Sequence, residues 1–211
     1  MSNDFSLLRT FVAAVTEIMQ DKNLPEPSLL VRLRPLLEDL VSQDKWLPDD
    51  FSRPHPDHYQ QYLLHCDPLE RFSVVSFVLG PGQKMPPHDH TTWGLIGILR
   101  GAENFRSYNL IEGQLVSGTI QRLNKGQFTF VSPHVGDIHE VSNAFPDRVS
   151  ISIHVYGANI GAVRRHIYDP VTGERDDFVS GYANSVLPNL WNRSEQVIDA
   201  MRSERPKTVL H

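Results

Sequence analysis

From residue 58 to residue 156 the apolar positions recur with a period of two, in short runs cut by Gly, Pro or Asn. A strand alternates its side chains between two faces, so this period specifies β-structure and is incompatible with a helix. The runs cover residues 59–64, 71–78, 94–99, 102–110, 114–123, 127–131, 138–141 and 148–156, with Gly80-Pro-Gly82 as a turn. Many short strands with such punctuation suggest a sandwich or a jelly-roll barrel. Upstream the period is helical. Phe5, Leu8, Phe11, Val12 and Val15 share one face of a helix over residues 4–20, with Asp4 as N-cap. Pro25 and Pro27 break the chain, and Leu29, Leu33, Leu36, Leu37, Leu40 and Val41 line a second helix. Residues 46–56 read as a loop. Beyond Asp169 the pattern weakens, and the expectation is a hairpin near 178–185 followed by a partly helical or irregular tail. The whole is a mainly β chain, expected as one domain over 1–211: a helical part (1–45), a barrel (58–170), then a hairpin and tail (171–211).

Composition narrows the function classes. The chain has 211 residues and a net charge of −5, with no basic stripe to meet a phosphate backbone, which argues against nucleic acid as a partner. No apolar run is long enough to span a membrane. The start, Met1-Ser-Asn-Asp4, lacks the basic-then-apolar pattern of a signal peptide. A single cysteine, Cys66, excludes an internal disulfide framework. The expectation is a soluble cytoplasmic protein acting on a small molecule; oligomeric state is not specified.

The chemistry concentrates in His88-Asp-His90 and, about fifty residues on, Gly136-Asp-Ile-His139. On a strand, residues i and i+2 point to the same face. Three neutral imidazoles converging from two strands would hold a metal with open positions, as catalytic sites do. An H-x-H pair alone is equally the mark of ordinary surface or core histidines, so the surrounding spacing matters. Gly82-x5-His88-x-His90, closed by Gly101, and Gly126, Pro133, Gly136, His139 and Asn143 resemble the two motifs of the cupin superfamily. The second motif carries an extra residue before Pro133 and another before Gly136. Many cupins place a glutamate ligand after the second histidine with three or four residues between the two. Here those slots hold Gly94 and Leu95, and Glu103 is too distant without a register change.

A second constellation lies in residues 148–156. Ser152, His154 and Tyr156 share one face, and Val149, Ile151, Ile153 and Val155 the other. Were the aliphatic set to face inward, the polar three would simply be solvated. Facing a polar cavity, they can form a continuous hydrogen-bond chain that fixes the tyrosine hydroxyl.

His88-Asp-His90-Thr, Asp137-Ile-His139 and Ser152-x-His154-x-Tyr156 together resemble the thiol dioxygenases, the group of cysteine dioxygenase and 3-mercaptopropionate dioxygenase. The resemblance runs from about Tyr59 to Asp169. It implies a cupin barrel holding mononuclear iron(II) on His88, His90 and His139. It also implies O₂-dependent conversion of a thiol to a sulfinic acid, with Tyr156 orienting dioxygen or substrate and His154 and Ser152 fixing it. The mammalian-type cysteine dioxygenase cross-links a cysteine to the tyrosine matching Tyr156. This chain has Gly94 thereabouts, so no such cross-link is expected. That enzyme also grips its substrate carboxylate with an arginine where this chain has Gln61, and an amide cannot supply the charged fork. Members with the glutamine resemble 3-mercaptopropionate dioxygenases, which implies that an arginine after the tyrosine takes the carboxylate. Arg165 matches by spacing and Arg164 is its rival; an ordinary surface ion pair is the alternative for Arg165. A cysteine dioxygenase, a non-catalytic cupin and a zinc enzyme stay open. Asp89 and Glu140 are acceptors by position for the free ring nitrogen of His139, with solvent exposure as the alternative for both.

Overall fold

The structure, a computed structural model, describes residues 5–190 and 197–198. Helix α1 (Ser6–Ile18) buries Leu8, Phe11, Val12 and Val15, the stripe expected from the spacing. Phe5 occupies its N-cap and makes no side-chain cap bond; the proposed cap Asp4 lies outside the described residues. Helix α2 (Glu26–Ser42) begins right after Pro25, with Pro27 in its first turn. Proline is tolerated there because the first N–H groups have no helical partner, so Pro27 opens the helix rather than breaking the chain. The expected loop over 46–56 is partly packed. It contains a 3-10 turn (Asp49–Phe51), and Trp46 is buried and donates its indole N–H to the Leu40 carbonyl at 2.8 Å.

The strands are β1 (Gln60–Cys66), β2 (Ser73–Leu79), β3 (Lys84–His88), β4 (Gly94–Arg100), β5 (Ala102–Ile111), β6 (Gln114–Asn124), β7 (Phe128–Val131), β8 (His139–Asn143), β9 (Ser150–Tyr156), β10 (Arg165–Tyr168) and β11 (Arg175–Phe178). They form two antiparallel sheets, ordered β1-β2-β9-β4-β7 and β11-β10-β3-β8-β5-β6. This is the jelly-roll, double-stranded β-helix expected from the period-two runs.

Alternation along the strands sorts their side chains into two cores. Val74, Val78, Leu95, Leu99, Ile151, Ile153 and Val155 face outward onto the two helices. Val75, Phe77, Leu79, Ile96 and Ile98 face inward and meet Met85, Phe105, Leu123 and Val141 of the second sheet. The helices press closely. A Cβ on Gly97 would stand 3.0 Å from Val41 and 3.1 Å from Leu37, so the backbone of β4 is itself the packing surface. The helices therefore decide which face of β9 is free to look into the barrel: its aliphatic face is taken.

Two features departed from the expectation. Strand β3 contains Pro86 and Pro87, which cannot donate to a ladder, and its pairing with β8 is irregular between Met85 and His88. The final hairpin is not at 178–185. It joins β10 to β11, so the boundary drawn at residue 170 falls inside it. Its turn is built by Asp169, whose Oδ1 accepts from the Val171 and Thr172 amides at 2.7 and 2.8 Å, with Gly173 at φ 75°. The tail beyond Leu190 lies largely outside the described residues. Among the described residues no helix is long and apolar enough to cross a membrane.

Leu37, wholly buried between α2 and β4, belongs to the helix-facing core and not to the inner one. Leu37→Ala is expected to cost about 2–5 kcal/mol in urea unfolding, while the metal stoichiometry of the folded protein stays that of the parent.

Candidate metal centre

His88 is the last residue of β3, His139 the first of β8, and the two are cross-strand partners. His90 lies just beyond β3 rather than on it, but the chain still returns its ring to the same place. The three ring centroids stand 4.8 Å apart in every pairing, and the ligand nitrogens lie within 4.8 Å of one another. All three residues are buried.

Their hydrogen bonds fix how the rings are protonated. His88 Nδ1 lies 2.9 Å from the Pro86 carbonyl and His90 Nδ1 lies 3.0 Å from Asp137 Oδ1. Both partners only accept, so both Nδ1 atoms carry the proton and both Nε2 atoms keep a lone pair. His90 Nε2 is buried with no partner at all. An orphaned buried nitrogen is costly unless something binds it. Burial, followed by the neighbouring imidazoles, holds His88 and His90 well below the usual histidine range. Burial lowers His139 to about 4. The rings are therefore neutral, as metal ligation requires. Three neutral nitrogens with a free lone pair fit a divalent transition metal.

The slots for an acidic ligand are closed. Gly94 pairs with Tyr156 across the ladder, and a Cβ on it would lie 2.8 Å from the tyrosine ring. Leu95 points outward into the helix-facing core. Among the described residues the metal-competent cluster contains His88, His90 and His139 and no carboxylate.

Strand β9 is buried along its whole length and turns its polar face inward. Ser152 Oγ and His154 Nε2 are 2.7 Å apart, as are His154 Nδ1 and the Tyr156 hydroxyl. The ring of Tyr156 stacks on that of His90 at 5.2 Å. Burial depresses His154 to about 3 and drives the Tyr156 phenol well above its ordinary value, so this chain is neutral too.

Gln61 and Arg165 meet at the same place. A small internal space of about 10 Å³ is walled by His88, His139, His154, Tyr156, Gln61 and Arg165, room for about one water. Gln61 donates to Ser180 Oγ at 3.1 Å and to the Gly181 carbonyl at 2.9 Å. Arg165 donates to the same Ser180 Oγ at 2.7 Å and lies over the Phe178 ring at 4.5 Å. It is 1% exposed, and its Nε has no partner. No carboxylate among the described residues pairs with it. Arg164 points out to solvent and pairs with Asp177 instead. Gln61 also borders an outer hollow of about 310 Å³ with Tyr59 and Ser180, so it stands between the inner space and that hollow. A larger hollow of about 490 Å³ touches only His139 of the cluster.

The ligand supports are not those expected by position. Asp89 is buried, not solvated: it accepts from the His166 amide, His166 Nδ1 and the Tyr168 hydroxyl at 2.7–2.9 Å, and serves no ligand. Glu140 faces Arg106 at 3.9 Å. The ring of His139 is held edge-on by His88 and Phe105. The carboxylate that does support a ligand is Asp137, whose second oxygen accepts from the Thr91 amide at 2.8 Å. Its place two residues before His139 was the available signal. Glu103 of β5 stands outside the cluster, as its distance along the chain implied, yet it is fully buried, with both oxygens unpartnered among the described residues and burial raising its carboxyl to about 7.

No protein-family model matches the chain. Its fold is similar to several solved structures. One is a conserved protein with a double-stranded β-helix domain from Klebsiella pneumoniae subsp. pneumoniae, at 21% identity and a TM-score of 0.44 over 54% of this chain and 89% of that one. Another is an RmlC-like cupin from Desulfovibrio desulfuricans, at 19% and 0.39 over 52% and 92%. A third is oxalate oxidase in complex with the substrate analogue glycolate, at 17% and 0.41 over 51% and 55%.

Two outcomes follow from this geometry. Asp137→Ala should weaken divalent-metal affinity about 10- to 100-fold by chelator competition, with the fold intact by circular dichroism. Glu103 has a native pKa above its unfolded one, so its contribution to stability is present below the unfolded value and lost as pH rises towards about 7. Glu103→Gln should escape that loss, giving a variant up to about 3 kcal/mol more stable than the parent above neutral pH in denaturant titrations repeated across pH.

Proposed function

We propose that the chain is a non-haem iron(II) thiol dioxygenase acting on a small thiol carboxylate, with 3-mercaptopropionate preferred. The observation that carries this reading is Arg165, a buried cation with no carboxylate bonded to it among the described residues, beside three neutral imidazoles and no acidic ligand. A buried guanidinium without a counter-ion is unfavourable by several kcal/mol. An anionic ligand that brings its own carboxylate relieves that cost. The absence of an acidic metal ligand leaves the site's positive charge for a second anionic group, and a thiolate fits it.

An iron(II) ion on His88, His90 and His139 would supply the chemistry that favours thiolate over thiol and brings dioxygen to the sulfur. The overall change is R–SH + O₂ → R–SO₂H, with both oxygen atoms ending on sulfur. The protein's own groups do the rest. Arg165 would take the substrate carboxylate through its fork, releasing its bond to Ser180. Gln61, bound to the same serine, would lie beside that carboxylate and disfavour a substrate needing a second cation. Tyr156, held by His154 and Ser152, would present its hydroxyl at a fixed point over His90. Phe77, Met85 and Val141 line the remaining wall and limit water. The internal space holds about one water as it stands, so a thiol carboxylate would enter as Arg165 and Gln61 release Ser180, and a short chain asks the least of that movement.

The test is oxygen uptake by ferrous-loaded protein with single thiols, with sulfinate followed by mass. Uptake with 3-mercaptopropionate is expected to exceed that with cysteine, and Arg165→Gln should raise KM about 10- to 100-fold, the worth of a charged hydrogen bond. Turnover of cysteine alone would reverse the preference. Full iron occupancy without oxygen loss across short thiol carboxylates would leave a binding cupin and end the proposal.

A further inference from the structure

The polar chain on β9 does not stop at Ser152. Glu103 of β5 reaches across the barrel from the opposite sheet, and the hydroxyls of Ser150 and Ser152 stand beside its carboxyl, close enough to favour its ionised form. Neither closes a hydrogen bond of good geometry, and both carboxyl oxygens and Ser150 Oγ are buried without partners. No metal-ligand role accounts for this carboxyl, and it lies outside the histidine cluster.

Its surroundings offer no counter-charge. The ladder neighbours of Glu103 are Asn143 on β8 and Leu123 on β6. The Asn143 side chain is already spent on the Leu79, Gly80 and Arg148 carbonyls and the Phe145 amide. Phe105 is the next inward residue on β5. On β9, His154 is neutral, and Tyr156 is the titratable group that feels the Glu103 charge. Among the described residues no charged side chain acts on Glu103.

We infer that Glu103, its carboxyl standing beside Ser152, is a positioning residue that sets the direction of the hydrogen-bond chain Ser152–His154–Tyr156, and through it whether Tyr156 offers the cavity a proton or a lone pair. When its carboxyl is protonated it donates to Ser152 Oγ. Ser152 then donates to His154 Nε2, His154 Nδ1–H donates to the tyrosine oxygen, and the Tyr156 O–H is free to point into the cavity. When the carboxyl is ionised every bond reverses. Ser152 donates to the carboxylate, His154 Nε2–H donates to Ser152, and Tyr156 donates to His154 Nδ1, leaving its lone pairs towards the cavity. Passing from the first state to the second moves one proton a step along each link. The carboxyl proton passes to Ser152, that of Ser152 to His154 and that of His154 Nδ1 to Tyr156, whose own proton passes out to water, so the four groups together lose one proton. Glu103 titrates near neutrality, so both directions are accessible under ordinary conditions. Neither the metal nor the substrate enters this inference, which rests only on the placement of these four side chains.

The direction is read from the tautomer of His154. Because that ring stays neutral far below neutral pH, its ring nitrogens report tautomer and not charge. Nitrogen NMR of ring-labelled histidine, on zinc-loaded protein to keep lines narrow, should show the proton on Nδ1 below about pH 6 and on Nε2 above about pH 8. His154 is assigned by the signal lost in His154→Asn. Glu103→Gln should abolish the change, and Ser152→Ala, which leaves the carboxyl but cuts the link, should abolish it as well. A single tautomer across that range in the parent, or an unchanged transition in Glu103→Gln, would overturn the inference. No thiol is present, so its outcome and that of the proposed reaction are independent.

Discussion

Exclusion of water from one end of the barrel governs the rest of this structure. Six polar side chains, those of His88, His90, His139, Ser152, His154 and Tyr156, are enclosed between two sheets. In that environment an imidazolium is strongly disfavoured, so every ring is neutral before anything binds. Neutrality gives the lone pairs their availability, and the acceptors Pro86 and Asp137 then decide which nitrogen has one. The same desolvation keeps the Tyr156 phenol protonated and makes the unpaired guanidinium of Arg165 conspicuous. One physical term thus sets the state of the three imidazoles, of the hydrogen-bond chain and of the buried guanidinium.

That enclosure depends on the helices. Strand β9 has an aliphatic face and a polar face, and a two-layer sandwich could bury only one. By covering Ile151, Ile153 and Val155, α1 and α2 let the polar face turn inward without exposing the other. The closeness of α2 to Gly97 shows how little space is left at this seam. The helical part is therefore structural, yet it fixes the polarity of the cavity.

Much of this was legible in the sequence because it is written in local spacing. Period-two runs gave the strands, helical stripes gave α1 and α2, and the alternation of 148–156 put Ser152, His154 and Tyr156 on one face. What the alternation left open was which face looks inward, since that depends on helices over a hundred residues away. Gln61 and Arg165 stood out only through a family resemblance; nothing in their own neighbourhoods shows that two strands far apart in sequence bring them to one serine. Asp137 and Ser180 were missed for the same reason, their partners being distant in the chain. Strand β3 was obscured by Pro86 and Pro87, which read as punctuation but sit where the ladder is interrupted. The hairpin was misplaced because its strands are only four residues long and the second is mostly charged.

The cross-strand pairing of His88 with His139 has a mechanical side. These two residues sit where the β3–β8 ladder resumes after its irregular stretch. Sliding either strand by one residue would turn an imidazole to the opposite surface. A cation clasped by both would therefore act as a rivet for the strand alignment, and its affinity would be returned as resistance to heat. In this barrel the candidate metal centre and the point where the two strands are joined are one and the same place.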